Sequence, residues 1–139
     1  MVIDTNTPFG ARVARRLNDE KIIWMTTVRP NGTPEPSPVW FLWNGSEVVI
    51  YSQPNKQKLK DIGHDPRVAL NFNATPAGSD VVILTGEARI DQNAPPATGF
   101  PGYVEKYRAE IANIGMTPDS FAAEYSVQIR VTAKKLRGF

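Results

Sequence analysis

Lys21–Ser52 reads KIIWMTTVRPNGTPEPSPVWFLWNGSEVVIYS, three runs of β-branched and aromatic residues separated by two sharp turn signals. The first run, Lys21 to Arg29, suits a strand because Val, Ile, Thr and Trp fit a pleated, half-buried surface. It stops at Arg29-Pro30-Asn31-Gly32, where proline at the second turn position and glycine at the fourth suit a type I turn. A proline has no N–H to give to a ladder, so Pro36 and Pro38 delay the second strand to Val39–Trp43. Asn44-Gly45 then joins that strand to Glu47–Ser52 as a tight hairpin. The stretch is read as an antiparallel meander.

Toward the N-terminus, Thr7 is a candidate N-cap and Pro8 suits the first helical position. Phe9, Val13 and Leu17 follow at a four-residue spacing with Arg12, Arg15 and Arg16 between them, which predicts a short amphipathic helix. Toward the C-terminus, Gln53-Pro54-Asn55 leads into a short helix with Leu59 and Ile62 on one side, ended by Gly63 and Asp65-Pro66. Arg67–Asn73 alternates as a fourth strand, and Val81–Ile90, after the Thr75-Pro76-Ala77-Gly78 turn, as a fifth. The loop Asp91–Gly102 holds Pro95, Pro96, Gly99, Pro101 and Gly102 and is too short for a domain linker. Tyr103–Ile114 is predicted helical, Gly115 closes it, and Thr117-Pro118 opens another short helix ending near Ala123. Tyr125–Ala133 returns to strand before a basic tail, Lys134-Lys135-Leu136-Arg137-Gly138-Phe139. Six antiparallel strands joined mostly by tight turns favour a sheet that closes on itself. The expected architecture is a small barrel in one domain, residues 1–139, mainly β with flanking helices.

Composition narrows the function. At 41% hydrophobic and 22% charged residues the 139-residue chain can fill a core. A formal charge of +2 is too small to argue for a nucleic-acid partner. The absence of cysteine excludes disulfides, thiolate metal sites and a cysteine nucleophile, and fits a reducing compartment. No stretch has the pattern of a signal peptide or a membrane span, so a cytoplasmic protein without a membrane partner is expected.

The segment that carries chemistry is Tyr51–Val68, YSQPNKQKLKDIGHDPRV. With Asn55 as cap, Lys56, Gln57 and Lys58 occupy the first helical turn, where backbone N–H groups lack acceptors and the macrodipole is positive. Two lysines and an amide there add donors and charge, the arrangement a phosphate needs. A solvated helix start has the same spacing, and spacing does not separate the two.

The order of these segments resembles a known family, the split-barrel flavoproteins related to pyridoxamine 5′-phosphate oxidase, and within it the small enzymes that use the deazaflavin coenzyme F420. The resemblance runs through the N-terminal helix, TTVRPNGTPEPSPVWFLWNGSEVVIYS, NKQKLKDIGHDPRVALNF, TGEARI and IRVTAKKLRGF. It implies a six-stranded antiparallel split β-barrel with flanking helices. Oxidases of this kind present an Arg-Lys pair to the FMN phosphate, and the matching positions are Gln57 and Lys58, with Lys56 beside them to supply charge. Half of the pair is kept, which suits F420, whose phosphodiester continues into a further tail. The resemblance also places the flat ring against the main chain of Pro38-Val39-Trp40-Phe41, with Ser52 and Gln53 lining the approach to the phosphate and Trp40 stacking. It implies hydride transfer from reduced F420 to an unsaturated or carbonyl-bearing organic substrate, and a homodimer with the cofactor at the protomer interface. An FMN-dependent oxidoreductase and a non-catalytic F420 carrier or sensor are the alternatives.

Other residues carry less. His64, in a turn, assembles no triad and no metal site. Trp24, Trp40 and Trp43 suit strand cores, and only Trp40 has the family match. Glu87 and Asp91 share no site that would make them an acid pair. No catalytic residue is assigned: a tyrosine, a bound water or bulk solvent could each deliver the proton.

Overall fold

The computed structural model describes residues 1–139. Helix α1 (Pro8–Asp19) begins as its sequence predicts, with Thr7 Oγ1 accepting from the Gly10 N–H at 3.0 Å and proline at the first position. Seven strands follow rather than six: β1 (Ile23–Val28), β2 (Pro34–Val39), β3 (Leu42–Trp43), β4 (Glu47–Ser52), β5 (Arg67–Asn71), β6 (Val82–Asp91) and β7 (Val127–Gly138). Helix α2 (Gln57–His64) lies between β4 and β5, and helices α3 (Tyr103–Asn113) and α4 (Pro118–Glu124) lie between β6 and β7. All pairings are antiparallel, in the order β2-β1-β5-β6-β7-β4-β3. No helix is long and apolar enough to cross a membrane.

The two ends of that order, β2 and β3, are separated in the chain only by Trp40 and Phe41. Three Cα steps reach no further than about 10 Å, about two strand spacings. The sheet must therefore curl until its ends nearly meet, and the architecture is a split barrel. The barrel interior is one apolar cluster that includes Ile23, Met25, Phe41, Ile50, Leu70, Leu84 and Ile129, with Val13 and Leu17 of α1 and Ile62 of α2 packed into it. A second cluster lies outside, where Val49 and Tyr51 of β4 meet Tyr103, Tyr107 and Ile111 of α3 and Phe121 of α4. Strand β4 is consequently buried on both faces.

Four expectations are corrected. Strand β2 starts at Pro34, so the prolines lie within it rather than before it. The bond from Arg29 N–H to Thr33 C=O at 2.9 Å sets the ladder parity. Hydrogen-bonded pairs alternate, so Glu35, Ser37 and Val39 bond to β1 while Pro34, Pro36 and Pro38 turn their missing N–H groups to the free edge. A sheet edge is where prolines are tolerated, and here they leave that edge without donors. The supposed basic tail is the second half of β7, paired to β6 through Gly138 across a bulge at Thr85/Gly86. A Cβ on Gly86 would lie 2.0 Å from the Thr132 carbonyl oxygen, so the bulge needs glycine there. Finally, Asn55 does not cap α2; it adopts φ +65, and Lys56 is the N-cap. The helix also runs past Gly63 to His64.

Candidate functional site

Strand β3 covers β4 only at Val48 and Val49, so from Ile50 onward that side of β4 has no strand beside it. A pocket of about 280 Å³ occupies this region of the split. Its walls are Pro38, Val39 and Trp40 at the end of β2, Tyr51, Ser52 and Gln53 at the end of β4, Lys56 and Lys58 at the start of α2, and Tyr103, Ile114, Phe121 and Tyr125 from the α3–α4 layer. Gln53 Nε2 donates to Glu124 Oε1 at 3.0 Å, tying the β4 end of the wall to α4.

One end of the pocket is positively charged. The Lys56 cap supplies no side-chain hydrogen bond, and the N–H groups of Gln57 and Lys58 meet no protein acceptor. Neither Lys56 nor Lys58 forms an ion pair with any carboxylate of the chain. Burial, with Lys56 beside it, pushes the Lys58 ammonium below the ordinary lysine range. Two lysines without counter-charge beside free helix N–H groups form a positive concavity. The helix is anchored by Asp61, fully buried, which accepts from Thr27 Oγ1 at 2.9 Å and from Gln57 Nε2 at 2.8 Å.

The other end is aromatic and offers main-chain groups. Ladder parity turns the Pro38 carbonyl toward the split, and the Trp40 N–H has no protein acceptor. On β4, the bond from Asn44 N–H to Glu47 C=O sets the parity that turns the Tyr51 main-chain groups to the same opening. The bend between β2 and β3 is held from outside. Tyr107 Oη accepts from the Phe41 N–H at 2.8 Å and lies 2.7 Å from the Lys21 carbonyl, and Lys106 Nζ donates to the Phe41 carbonyl at 2.8 Å. The Trp40 ring stacks on Tyr107 at 4.7 Å and on Phe121 at 5.5 Å.

Seven of the residues singled out from sequence therefore line one pocket: Pro38, Val39, Trp40, Ser52, Gln53, Lys56 and Lys58. Two do not. The Phe41 side chain is wholly buried inside the barrel, because adjacent residues of an extended chain face opposite ways. The Gln57 amide is engaged by Asp61, so it is turned to the protein. Trp40 lines the wall, but its stacking partners are the protein's own rings. His64 sits exposed at the C-terminal end of α2. Sequence reasoning missed Tyr51, Tyr103, Ile114, Phe121 and Tyr125: the helical spacing of Tyr103 and Phe121 shows a buried face without showing what it is buried against, and Tyr125 caps α4 instead of opening the last strand.

The match to a family model described as pyridoxamine 5′-phosphate oxidase extends over residues 9–138. The chain belongs to the pyridoxamine 5′-phosphate oxidase family. This is a family of flavin-binding oxidoreductases with the split-barrel fold. Solved structures share the fold at low identity. An F420 reductase is 23% identical, with a TM-score of 0.66 over 88% of this chain and 94% of that one. A conserved hypothetical protein of Mycobacterium tuberculosis is 21% identical, with a TM-score of 0.70 over 91% and 81%. The heme storage protein HutZ of Vibrio cholerae is 11% identical, with a TM-score of 0.66 over 95% of each chain. No curated protein matches the chain.

Proposed function

We propose that this member of the pyridoxamine 5′-phosphate oxidase family is an F420-dependent reductase acting on an unsaturated or carbonyl-bearing organic substrate. The observation that carries the reading is the uncompensated pair Lys56 and Lys58 at the uncapped start of α2, opening into an aromatic-walled pocket. That combination suits a ligand with an anionic group at one end and a flat ring at the other. F420 is favoured over FMN because the Gln57 side chain carries no charge and is turned to Asp61, leaving only its main-chain N–H for the anion. A phosphodiester bears a single negative charge, whereas a terminal phosphate bears about −1.5 to −2 near neutral pH, and the thinner donor set suits the smaller charge.

When bound, the reduced deazaflavin would supply the hydride. The chain's part is to hold the anion at Lys56 and Lys58, to fix the ring edge through the Pro38, Trp40 and Tyr51 main-chain groups, and to keep water from the aromatic end. The test is a titration with both coenzymes. F420 is expected to bind at least tenfold more tightly than FMN, a difference of about 1.4 kcal/mol. Stoichiometric copurification of FMN would overturn the F420 reading and leave the family assignment standing. Tight F420 binding with no turnover of any electrophile would point to a carrier.

The assembly reading follows from size. A pocket of about 280 Å³ is at or below the small end of the roughly 300–1,000 Å³ that ligand sites occupy, so much of such a cofactor would lie outside this chain's own walls. We propose that a second copy covers that part. Sedimentation should report a homodimer, and a monomer that bound cofactor fully would contradict the shared site.

A further inference from the structure

Three tyrosines of this layer are buried, and two have their hydroxyls satisfied. Tyr51 Oη donates to the Pro95 carbonyl at 2.8 Å and accepts from Gln128 Nε2 at 2.9 Å. Tyr107 Oη serves the bend at Phe41. Tyr103, one helical turn before Tyr107 and fully buried, has no hydrogen-bond partner for its hydroxyl. A buried hydroxyl without a partner is costly and rare. The Tyr51 backbone lies near enough to the Tyr103 hydroxyl to favour its ionised form, yet completes no bond to it. The Tyr103 proton is therefore unused, and the residue is part of the pocket wall beside the open side of β4.

We propose that Tyr103 donates its hydroxyl proton to a ring carbonyl oxygen of the bound cofactor and so orients the ring end of the ligand against β4. The inference rests on the cofactor reading above and names a positioning residue within it. Three features support a donor role. The main-chain groups turned to the split are the Pro38 carbonyl, the Trp40 N–H and those of Tyr51, whose backbone lies beside the Tyr103 hydroxyl, so a ring carbonyl held at this end of β4 would lie on the same side as the hydroxyl proton. Burial, the largest influence, drives the phenol far above the ordinary tyrosine range, so the hydroxyl keeps its proton at any working pH. The ring is also held in place by Tyr51, edge-on at 4.9 Å, and by Tyr107 at 5.3 Å, which limits where the hydroxyl can go.

The test compares Tyr103→Phe with the wild type in two measurements. Without ligand, the variant should melt at the same temperature or higher, because it loses no hydrogen bond, whereas Tyr107→Phe should melt lower. With oxidised F420 and with FMN as probes, Tyr103→Phe should weaken binding of the preferred coenzyme about threefold to tenfold. The long-wavelength absorption of its bound ring should also move toward that of the free coenzyme. Destabilisation of the unliganded Tyr103→Phe protein to the extent seen for Tyr107→Phe would show an internal partner and overturn the proposal. Unchanged affinity and spectrum in a wild type that binds would overturn it alone. A wild type that binds neither coenzyme would overturn both this proposal and the cofactor reading.

Discussion

Lys58→Ala raises the dissociation constant for the cofactor tenfold to a hundredfold, while Lys60→Ala leaves it within about twofold. A hydrogen bond to a charged group is worth about 1.5 to 3 kcal/mol, and every 1.4 kcal/mol is a factor of ten. Lys58 is half-buried in the pocket wall at the second residue of α2, beside main-chain N–H groups with no acceptor. Lys60, two residues on and exposed, is outside that wall, about 200° around the helix. Titration of the two variants, with melting curves to show that each is folded, separates a placed ligand from general positive potential. Equal effects would mean that only the overall field attracts the anion.

The same residue sets a pH dependence whose sign follows from its surroundings. Burial, followed by the charge on Lys56, lowers the Lys58 pKa in the free protein, and a bound anion favours the charged form and raises it again. Affinity is thus fully present below the lowered pKa and falls as pH climbs through it toward the ordinary lysine value. The free protein behaves in the opposite way. Between the lowered and ordinary values the unfolded chain binds more protons than the folded one, so this group's contribution to stability rises with pH in that window. Lys58→Ala removes both trends, which a titration series on the alkaline side of neutrality would reveal.

How far the sequence could be read depended on whether a residue's partner is near it in the chain. Helix α1 was legible because Thr7, Pro8 and the Phe9, Val13, Leu17 stripe are local signals, and β4 because its bounds are set by adjoining turns. The prolines of β2 misled for a physical reason. A missing N–H forbids a central strand but not an edge, and edge status belongs to the completed sheet. Asn55 suited a cap by residue type, but its left-handed backbone passes the position to Lys56. The lysines of α2 and the strand ends of the pocket were legible through the family resemblance and the helix-start argument together. Lys106 and Tyr107 were not, because their roles depend on main-chain groups of Lys21 and Phe41, far away in sequence, and Tyr103 was not, because nothing local shows that its hydroxyl lacks a partner.

Tyr107 is where that distant contact matters most to the fold. The peptide at Phe41 lies between β2 and β3 and has no strand beside it, so its N–H relies on Tyr107 Oη and its carbonyl on Lys106 Nζ. Tyr107→Phe keeps the ring that Trp40 stacks on but leaves the Phe41 N–H unsatisfied and the Lys21 carbonyl short of a donor. Each buried group so orphaned costs about 1 to 3 kcal/mol, which suggests a loss of about 2 to 4 kcal/mol for the pair. For a chain of this length the melting temperature should fall by roughly 6 to 16 °C. Lys106 does not rescue the bend. It already donates to the Phe41 carbonyl, and as an ammonium, the form it holds below a pKa that burial has pushed down to about 8, it has no lone pair to offer the N–H. Because Trp40 adjoins the released peptide, cofactor affinity should fall together with stability. Tyr103→Phe, on the same helix and with the same chemical change, separates the two readouts by affecting binding alone. A Tyr107→Phe protein melting within about 2 °C of the wild type would mean that the bend is held by the strands themselves, and α3 would then not be what shapes the pocket.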